Sequence, residues 1–333
     1  MQIDAAILWE QGTPLVIEQA ELDAPHAGEV LVEVKAAGVC HSDLHPARGD
    51  WPAKTPLVLG HELVGRATAG RLAGQAVVVD PLIACGDCSA CRLGERHVCA
   101  NLRLIGIDRD GGLSGRVVVD SERVHVVPAG LDPVVAALAE PLAVAVHATR
   151  RAHVGVGDTI VIMGAGPIGL LLAFAARHVG AATILIGETA PARRTFAESL
   201  GFDTLDTVDP FGDLERHTSG RLADVVFDAA AVPAVAALLP RLVRPAGRIG
   251  LVGTYARPVE LDLQAILFKE LTVLGNRVYR PADIDAALRM LADDPAAFRP
   301  LISEVVGLDE APAAFARLRA GEGVKYLVAT GGR

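Results

Sequence analysis

TIVIMGAGPIGLLL, residues 159–172, sets a run of buried-type residues against a glycine turn and a second apolar run. TIVIMG (159–164) reads as a strand covered on both faces, and PIGLLLAFAARHVG reads as the helix that follows it. Between them Gly164, Gly166 and Gly169 form G-x-G-x-x-G. The first glycine permits a tight turn and the second lets backbone approach a pyrophosphate. The third allows helix to pack closely on strand, while the helix N-terminus offers N–H groups and positive dipole to phosphate. Alone, such a turn can serve packing only. Here the next strand, ATILIGE, ends on an acid, Glu188, twenty-four residues after Gly164. A carboxylate there can accept both adenosine ribose hydroxyls and repel a 2′-phosphate, so the pattern points to a dinucleotide site favouring NAD over NADP. Arg193 and Arg194 bear on that choice, because a guanidinium nearby can bind a 2′-phosphate; the other reading makes them solvated residues in the first turn of a helix.

The same texture runs outward from this turn. ATILIG, ADVVFDA (223–229) and RIGLVG read as strands, with PARRTFAESLG and VPAVAALLPRLV as helices between them. Strand and helix alternating at these lengths predict a parallel doubly wound sheet. The first 130 residues differ. AILW, LVIEQA, EVLVEVKAAGV, AVVVDP, RVVVD and RVHVVP are short β-type runs separated by glycine and proline turns, which predict a β-rich domain with little helix. Near residue 278 the pattern shifts to helical ADIDAALRMLAD and DEAPAAFARLRAGE, then a last strand YLVAT, read as returning to the first domain.

Composition bounds the function. The chain has 333 residues, 51% of them hydrophobic, and a formal charge of −9. That length allows two domains with real cores. The acidic balance without a basic block argues against nucleic acid or an acidic membrane surface as partner. MQIDAAILWEQGTPL has no basic start followed by a long apolar run, and the longest apolar runs are broken by glycine, proline and aspartate. A cytoplasmic enzyme is expected, in a reducing compartment where cysteines bind metal or do chemistry more often than they pair.

Four of the five cysteines, Cys85, Cys88, Cys91 and Cys99, lie in CGDCSACRLGERHVC as C-x2-C-x2-C-x7-C. Four thiolates at this spacing can close a tetrahedral shell around zinc, leaving no open position, so the expected role is structural. An iron–sulfur cluster uses the same ligand count, and a redox pair is a further alternative. Cys40, in GVCHSDLH, stands apart. GHELVG supplies His61 and Glu62, and AEPLAVAVHA supplies Glu140, an acid in an apolar run where an unpaired carboxylate would be costly. A catalytic zinc needs three protein ligands and an exchangeable position, which these residues can provide.

GVCHSDLH, GHELVG, the four-cysteine lobe, AEPLAVAVHA, GAGPIG and the strand-end acid together resemble zinc-dependent members of the medium-chain dehydrogenase/reductase superfamily, over nearly the whole chain. The resemblance implies an α/β protein. A GroES-like, β-rich catalytic domain carrying the structural zinc lobe (1–145) is interrupted by a Rossmann doubly wound parallel sheet that binds NAD (146–277), and residues 278–333 complete the first domain. It implies two zinc ions per chain. Cys40 and His61 fall on direct ligand positions of the catalytic zinc, Glu62 on an acid that can enter or leave the shell, and Glu140 on the last ligand position, bound directly or through water. Ser42 and His45 fall on a proton relay, and His41 on a position beside the cofactor pyrophosphate. Pro167, Ile168, Val252 and Arg193 join the three glycines and Glu188 as cofactor residues, and Lys325 falls where some members place a base on the cofactor phosphates. Tyr279 falls where polyol-type members have a tyrosine near the substrate.

Two subgroups are mixed. CHSDLHPARGDWP, with Trp51, is similar to microbial ethanol dehydrogenases, whereas AEPLAVAVHATRRA is similar to sorbitol and butanediol dehydrogenases. DGGLSGRVVVD departs from the polyol pattern at Ser114, Gly115 and Arg116. The expected chemistry is reversible hydride transfer from a secondary alcohol, diol or polyol to NAD, with zinc acidifying the substrate hydroxyl. The alternatives are a primary-alcohol dehydrogenase and, from another class, a non-catalytic dinucleotide sensor with a structural zinc. The expected partners are a small alcohol or polyol and other copies of the chain, a tetramer before a dimer, with no nucleic acid and no membrane.

Overall fold

The computed structural model describes residues 1–49, 53–69 and 72–331, so Trp51 lies outside the described residues. The chain divides into two compact units, Met1–Glu140 together with Arg280–Arg333, and Pro141–Tyr279.

In the second unit Thr159–Met163 lies at the centre of a six-stranded parallel sheet. Asp203–Leu205, Thr183–Gly187, Thr159–Met163, Ala223–Asp228, Val243–Leu251 and Thr272–Gly275 follow one another across it. Numbered along the chain this is the order 3-2-1-4-5-6 of the Rossmann sheet. The strands read as continuous apolar runs because helices cover both faces, and Val161, Met163, Leu185, Val226, Leu239 and Ile249 form one buried cluster. Pro167, Pro191, Pro210 and Pro233 each open a helix directly after a strand or turn. Proline suits that position because its missing N–H would find no partner there and its φ is already helical.

The first unit is β-rich. Its largest sheet runs Val124–Val126, Ala76–Val79, Glu62–Ala67, Glu29–Val39, Lys325–Ala329 and Ile302–Gly307, with Arg116–Asp120 also paired to Glu29–Val39. Alternation in Glu29–Val39 turns Val30, Val32 and Val34 into the core. The C-terminal strand lies antiparallel beside it, with Tyr326 opposite Val39 and Leu327 opposite Gly38. Among the described residues no helix is long and apolar enough to cross a membrane.

Candidate active site

The strand Glu29–Val39 ends at Cys40, an extended residue that caps the helix His41–Arg48. Asp43, in the first turn of that helix, reaches back, and its Oδ2 accepts the Cys40 N–H at 2.9 Å. Its Oδ1 lies 2.9 Å from His61 Nδ1. Both side chains are buried. A carboxylate on Nδ1 fixes the ring and leaves Nε2 to face a metal. Asp43 has no role in the sequence pattern described above, and the signal for one is an acid three residues after an expected ligand, at the position of a capping box.

Glu62 begins the strand Glu62–Ala67, directly after His61, and its antiparallel register sets Glu62 opposite Gly38. The end of one strand therefore meets the start of the other. Ligand atoms of Cys40, His61 and Glu62 lie within 4.8 Å of one another, a donor set of sulfur, nitrogen and oxygen suited to zinc. Burial alone would lower the His61 pKa, but the Asp43 charge and hydrogen bond, with Cys40 adding to them, raise it well above its ordinary value.

Two more of the expected site residues, Glu140 and Lys325, lie in this same unit. Lys325 is buried beside Glu62. Its side chain is 2% exposed, and Nζ donates to Glu62 Oε1 at 2.7 Å and Oε2 at 2.8 Å. Burial would depress its pKa, but Glu62, Cys40 and Glu140 together hold it above the ordinary lysine value. Glu140, in the first turn of the helix Ala139–Arg151, is buried and acts on Lys325 through its charge, but its carboxylate is not part of the group formed by Cys40, His61 and Glu62. Ser42 and His45 are half-buried on the helix His41–Arg48, and His41 is exposed at its start. Tyr279 is completely buried.

The four remaining cysteines converge on one point. Sγ atoms lie 3.4 Å apart for Cys85–Cys99, 3.9 Å for Cys88–Cys99 and 4.0 Å for Cys85–Cys91. A tetrahedron with Zn–S bonds of about 2.3 Å has edges of ~3.8 Å, so the set fits zinc. The N–H groups of Cys85 and Asn101 both point at Cys99 Sγ at 3.3 Å, and they lower its pKa toward the thiolate a metal requires.

In the other unit, Gly164 takes φ +110°, and its N–H donates to Gly187 O at 2.7 Å. A Cβ on Gly169 would come within 1.9 Å of Gly164 O, so that glycine permits the helix to sit on the turn. A Cβ on Gly166, the cap of helix Pro167–His178, would meet nothing within 4 Å. That open face beside a helix N-terminus fits a pyrophosphate. Glu188 braces the turn, with Oε2 accepting from Ala165 N at 3.0 Å and Oε1 from Ala190 N at 2.9 Å. Arg194 donates to Glu188 O at 3.1 Å and Thr207 Oγ1 at 3.4 Å, while Arg193 is half-buried in the same helix turn. Val252, half-buried past the strand Val243–Leu251, donates its N–H to Asp228 O at 3.0 Å.

With this geometry in view, comparison with known proteins is direct. Residues 26–129 match the alcohol dehydrogenase GroES-like domain family, and residues 167–293 match the zinc-binding dehydrogenase family. The chain is 36% identical over 316 residues to a 2-dehydro-3-deoxy-L-galactonate 5-dehydrogenase of Pseudoalteromonas atlantica, covering 92% of each chain. It is 32% identical to a sorbitol dehydrogenase of Halalkalibacterium halodurans, over 97% of this chain and 98% of that one. Among solved structures, a zinc-binding dehydrogenase from Sinorhizobium meliloti bound to NADP superposes with a TM-score of 0.90 at 32% identity, covering 99% of both chains. The chain belongs to the zinc-dependent medium-chain dehydrogenase/reductase superfamily.

Proposed function

We propose that this protein is an alcohol/polyol dehydrogenase that exchanges a hydride between a hydroxyl-bearing secondary carbon and a nicotinamide dinucleotide. The observation that carries the reading is the convergence of Cys40, His61 and Glu62 ligand atoms within 4.8 Å, in a chain that also holds the glycine turn and Glu188. Bound zinc supplies a Lewis acid for the substrate oxygen, and the nicotinamide supplies the hydride acceptor. Cys40 and His61 would hold the metal together with Glu140, directly or through a water, with Glu62 as the acid able to enter or leave the shell, and Asp43 aims the His61 ring. Ser42 and His45 are assigned to proton release, since a histidine titrates near neutrality and the helix His41–Arg48 carries both. A polyhydroxylated substrate is favoured by the names of the relatives, a sugar-acid dehydrogenase and a sorbitol dehydrogenase. NAD is favoured over NADP by the Glu188 carboxylate at the end of its strand.

A cytoplasmic setting accords with five cysteines of which none is in a disulfide. The functional form is a homo-oligomer, a tetramer before a dimer. Thr272–Gly275 is an edge strand, and beside it in sequence Leu263 and Leu267 are each 72% exposed and Phe268 76% exposed on one short helix. A second copy is the natural cover for such an edge.

The deciding experiment is a panel of primary alcohols, secondary alcohols, vicinal diols and sugar alcohols with NAD and with NADP, following absorbance of the reduced cofactor. Cys40→Ala and His61→Ala should each abolish turnover while NADH binding persists. Retained turnover in either would overturn the zinc-alcohol reading.

A further inference from the structure

Strand Ala223–Asp228 ends on Asp228, a completely buried acid. Its Oδ1 accepts from Ala230 N at 3.0 Å and Ala231 N at 2.9 Å, and its Oδ2 accepts from the Tyr255 hydroxyl. Its main-chain oxygen takes the N–H groups of Val252 and Gly253, at 3.0 and 2.9 Å. One residue thus ties together two loops, 229–231 and 252–255, that leave the C-terminal ends of neighbouring parallel strands. Ala231 holds φ +52°, a left-handed conformation that a residue with a Cβ keeps only where its surroundings impose it. Burial, then the Asp228 hydrogen bond and charge, push the Tyr255 phenol above its usual range, so it remains a donor at neutral pH.

Loop 229–231 is packed from both sides. A Cβ on Gly164, in the glycine turn, would come 3.2 Å from Ala230 N, and one on Gly253 would come 2.8 Å from Ala231 Cβ. The loop therefore lies between the turn that fits a pyrophosphate and the end of the next strand. A sheet of order 3-2-1-4-5-6 consists of two mononucleotide-binding halves that meet where the order reverses. The glycine turn and Glu188 follow the first and second strands and belong to the adenosine half. The ends of the fourth and fifth strands, where Asp228 and Tyr255 meet, belong to the other half. Asn276 also anchors the base of the second loop, donating to Leu251 O from N at 2.9 Å and from Nδ2 at 3.1 Å. What Tyr255 adds is a hold on that loop's outer part.

We propose that Asp228 and Tyr255 are positioning residues for the nicotinamide half of the cofactor, the bonded pair holding loops 229–231 and 252–255 in the shape against which that mononucleotide packs. The proposal rests on the dinucleotide reading above and deepens it. Neither side chain needs to touch the cofactor. A bed shaped in advance spares binding the cost of ordering two loops, so breaking the pair weakens the hold on the nicotinamide mononucleotide and leaves the adenosine side as it was.

The test uses the full, zinc-loaded chain and two ligands: NADH, which spans both halves, and ADP, which fills only the first. Tyr255→Phe keeps the ring and removes the hydroxyl. Its affinity for NADH, by fluorescence titration, should fall about tenfold, while its affinity for ADP, by calorimetry, stays within about twofold of the wild type. Asp228→Ser should show the same split, and adding Tyr255→Phe to it should cost little more, because the two residues act as one unit. Tyr255→Phe with wild-type NADH affinity overturns the proposal, as do equal losses for NADH and ADP or a second full loss in the double variant. Should Asp228→Ser not fold, Tyr255→Phe decides alone by its affinities for the two ligands. A wild type that binds neither NADH nor ADP overturns the dinucleotide reading itself, and the proposal with it.

Discussion

Asp43 joins two segments that the chain keeps eighteen residues apart: one carboxylate oxygen sits 2.9 Å from His61 Nδ1, and the other accepts the Cys40 N–H at 2.9 Å. One buried acid thus orients both the sulfur-bearing turn and the imidazole. Asp43→Asn should lower zinc affinity at this site by about 10–100-fold, measured by competition with a chromophoric chelator. The Asp43 charge is also what raises the His61 pKa. A metal must displace that proton, so zinc affinity in the wild type falls as pH drops through the raised value. In the Asp43→Asn variant the fall should begin at lower pH. Equal affinity in both proteins would remove Asp43 from this role.

The four-sulfur lobe makes a separate prediction. Cys99 is the buried member, and two backbone N–H groups already point at its sulfur. Cys99→Ser should reduce zinc content from two ions per chain to one, read by elemental analysis. Tm should fall with it, at roughly 2–4 °C for each kcal/mol lost in a domain of this size. Retention of both ions would mean that the lobe is not held by these thiolates.

Gly166 and Gly169 separate packing from phosphate binding. Gly169→Ala drives a methyl into the Gly164 carbonyl oxygen and should cost about 3 kcal/mol, the upper end for overpacking. Gly166→Ala meets open space at φ −74°, so its denaturation midpoint should stay at the wild-type value. Its NADH affinity should nevertheless fall about tenfold or more, by fluorescence titration, because the methyl occupies the face a pyrophosphate approaches. Unaltered NADH binding in Gly166→Ala would move the cofactor away from this turn.

Glu188→Gln removes the charge while keeping an acceptor for Ala165 N–H and Ala190 N–H. Discrimination against NADP, taken as the ratio of kcat/KM values, should shrink about tenfold, the scale of one charge-assisted contact. A ratio that stays put would mean that another residue selects the cofactor.

Asp80 provides a pH test of stability. Burial raises its pKa, outweighing the hydrogen bond from Leu82 N–H and the charges of His125, Arg123 and Arg96. A carboxylate whose folded pKa lies above its unfolded one costs stability as pH rises from the ordinary carboxylate value through the raised one, and the cost is constant above that. Asp80→Asn keeps an oxygen for Leu82 N–H. Its stability relative to wild type should therefore climb across that acidic window and level off toward neutrality, as read from denaturation midpoints at a series of pH values from the acidic range to neutrality. A difference independent of pH would contradict the shift.

The features legible in the sequence are those written at short range. Strand, glycine turn, helix and strand-end acid occupy thirty consecutive residues from Thr159 to Glu188, and the four clustered cysteines occupy fifteen from Cys85 to Cys99. In both cases the chemistry needs groups that a local turn can bring together, so spacing along the chain already states proximity. Resemblance to a known family carried the pairing of Cys40 with His61 for the same reason, each lying in its own compact motif. Only the tertiary structure decided what surrounds them. Lys325 meets Glu62 across 263 residues because the last strand docks against Glu29–Val39, and no spacing encodes that register. Gly38 looks like any strand glycine until the neighbouring strand lays a carboxylate over it. Antiparallel pairing brings remote residues to adjacent rungs, and burial then leaves a charge no partner except the one the sheet supplies.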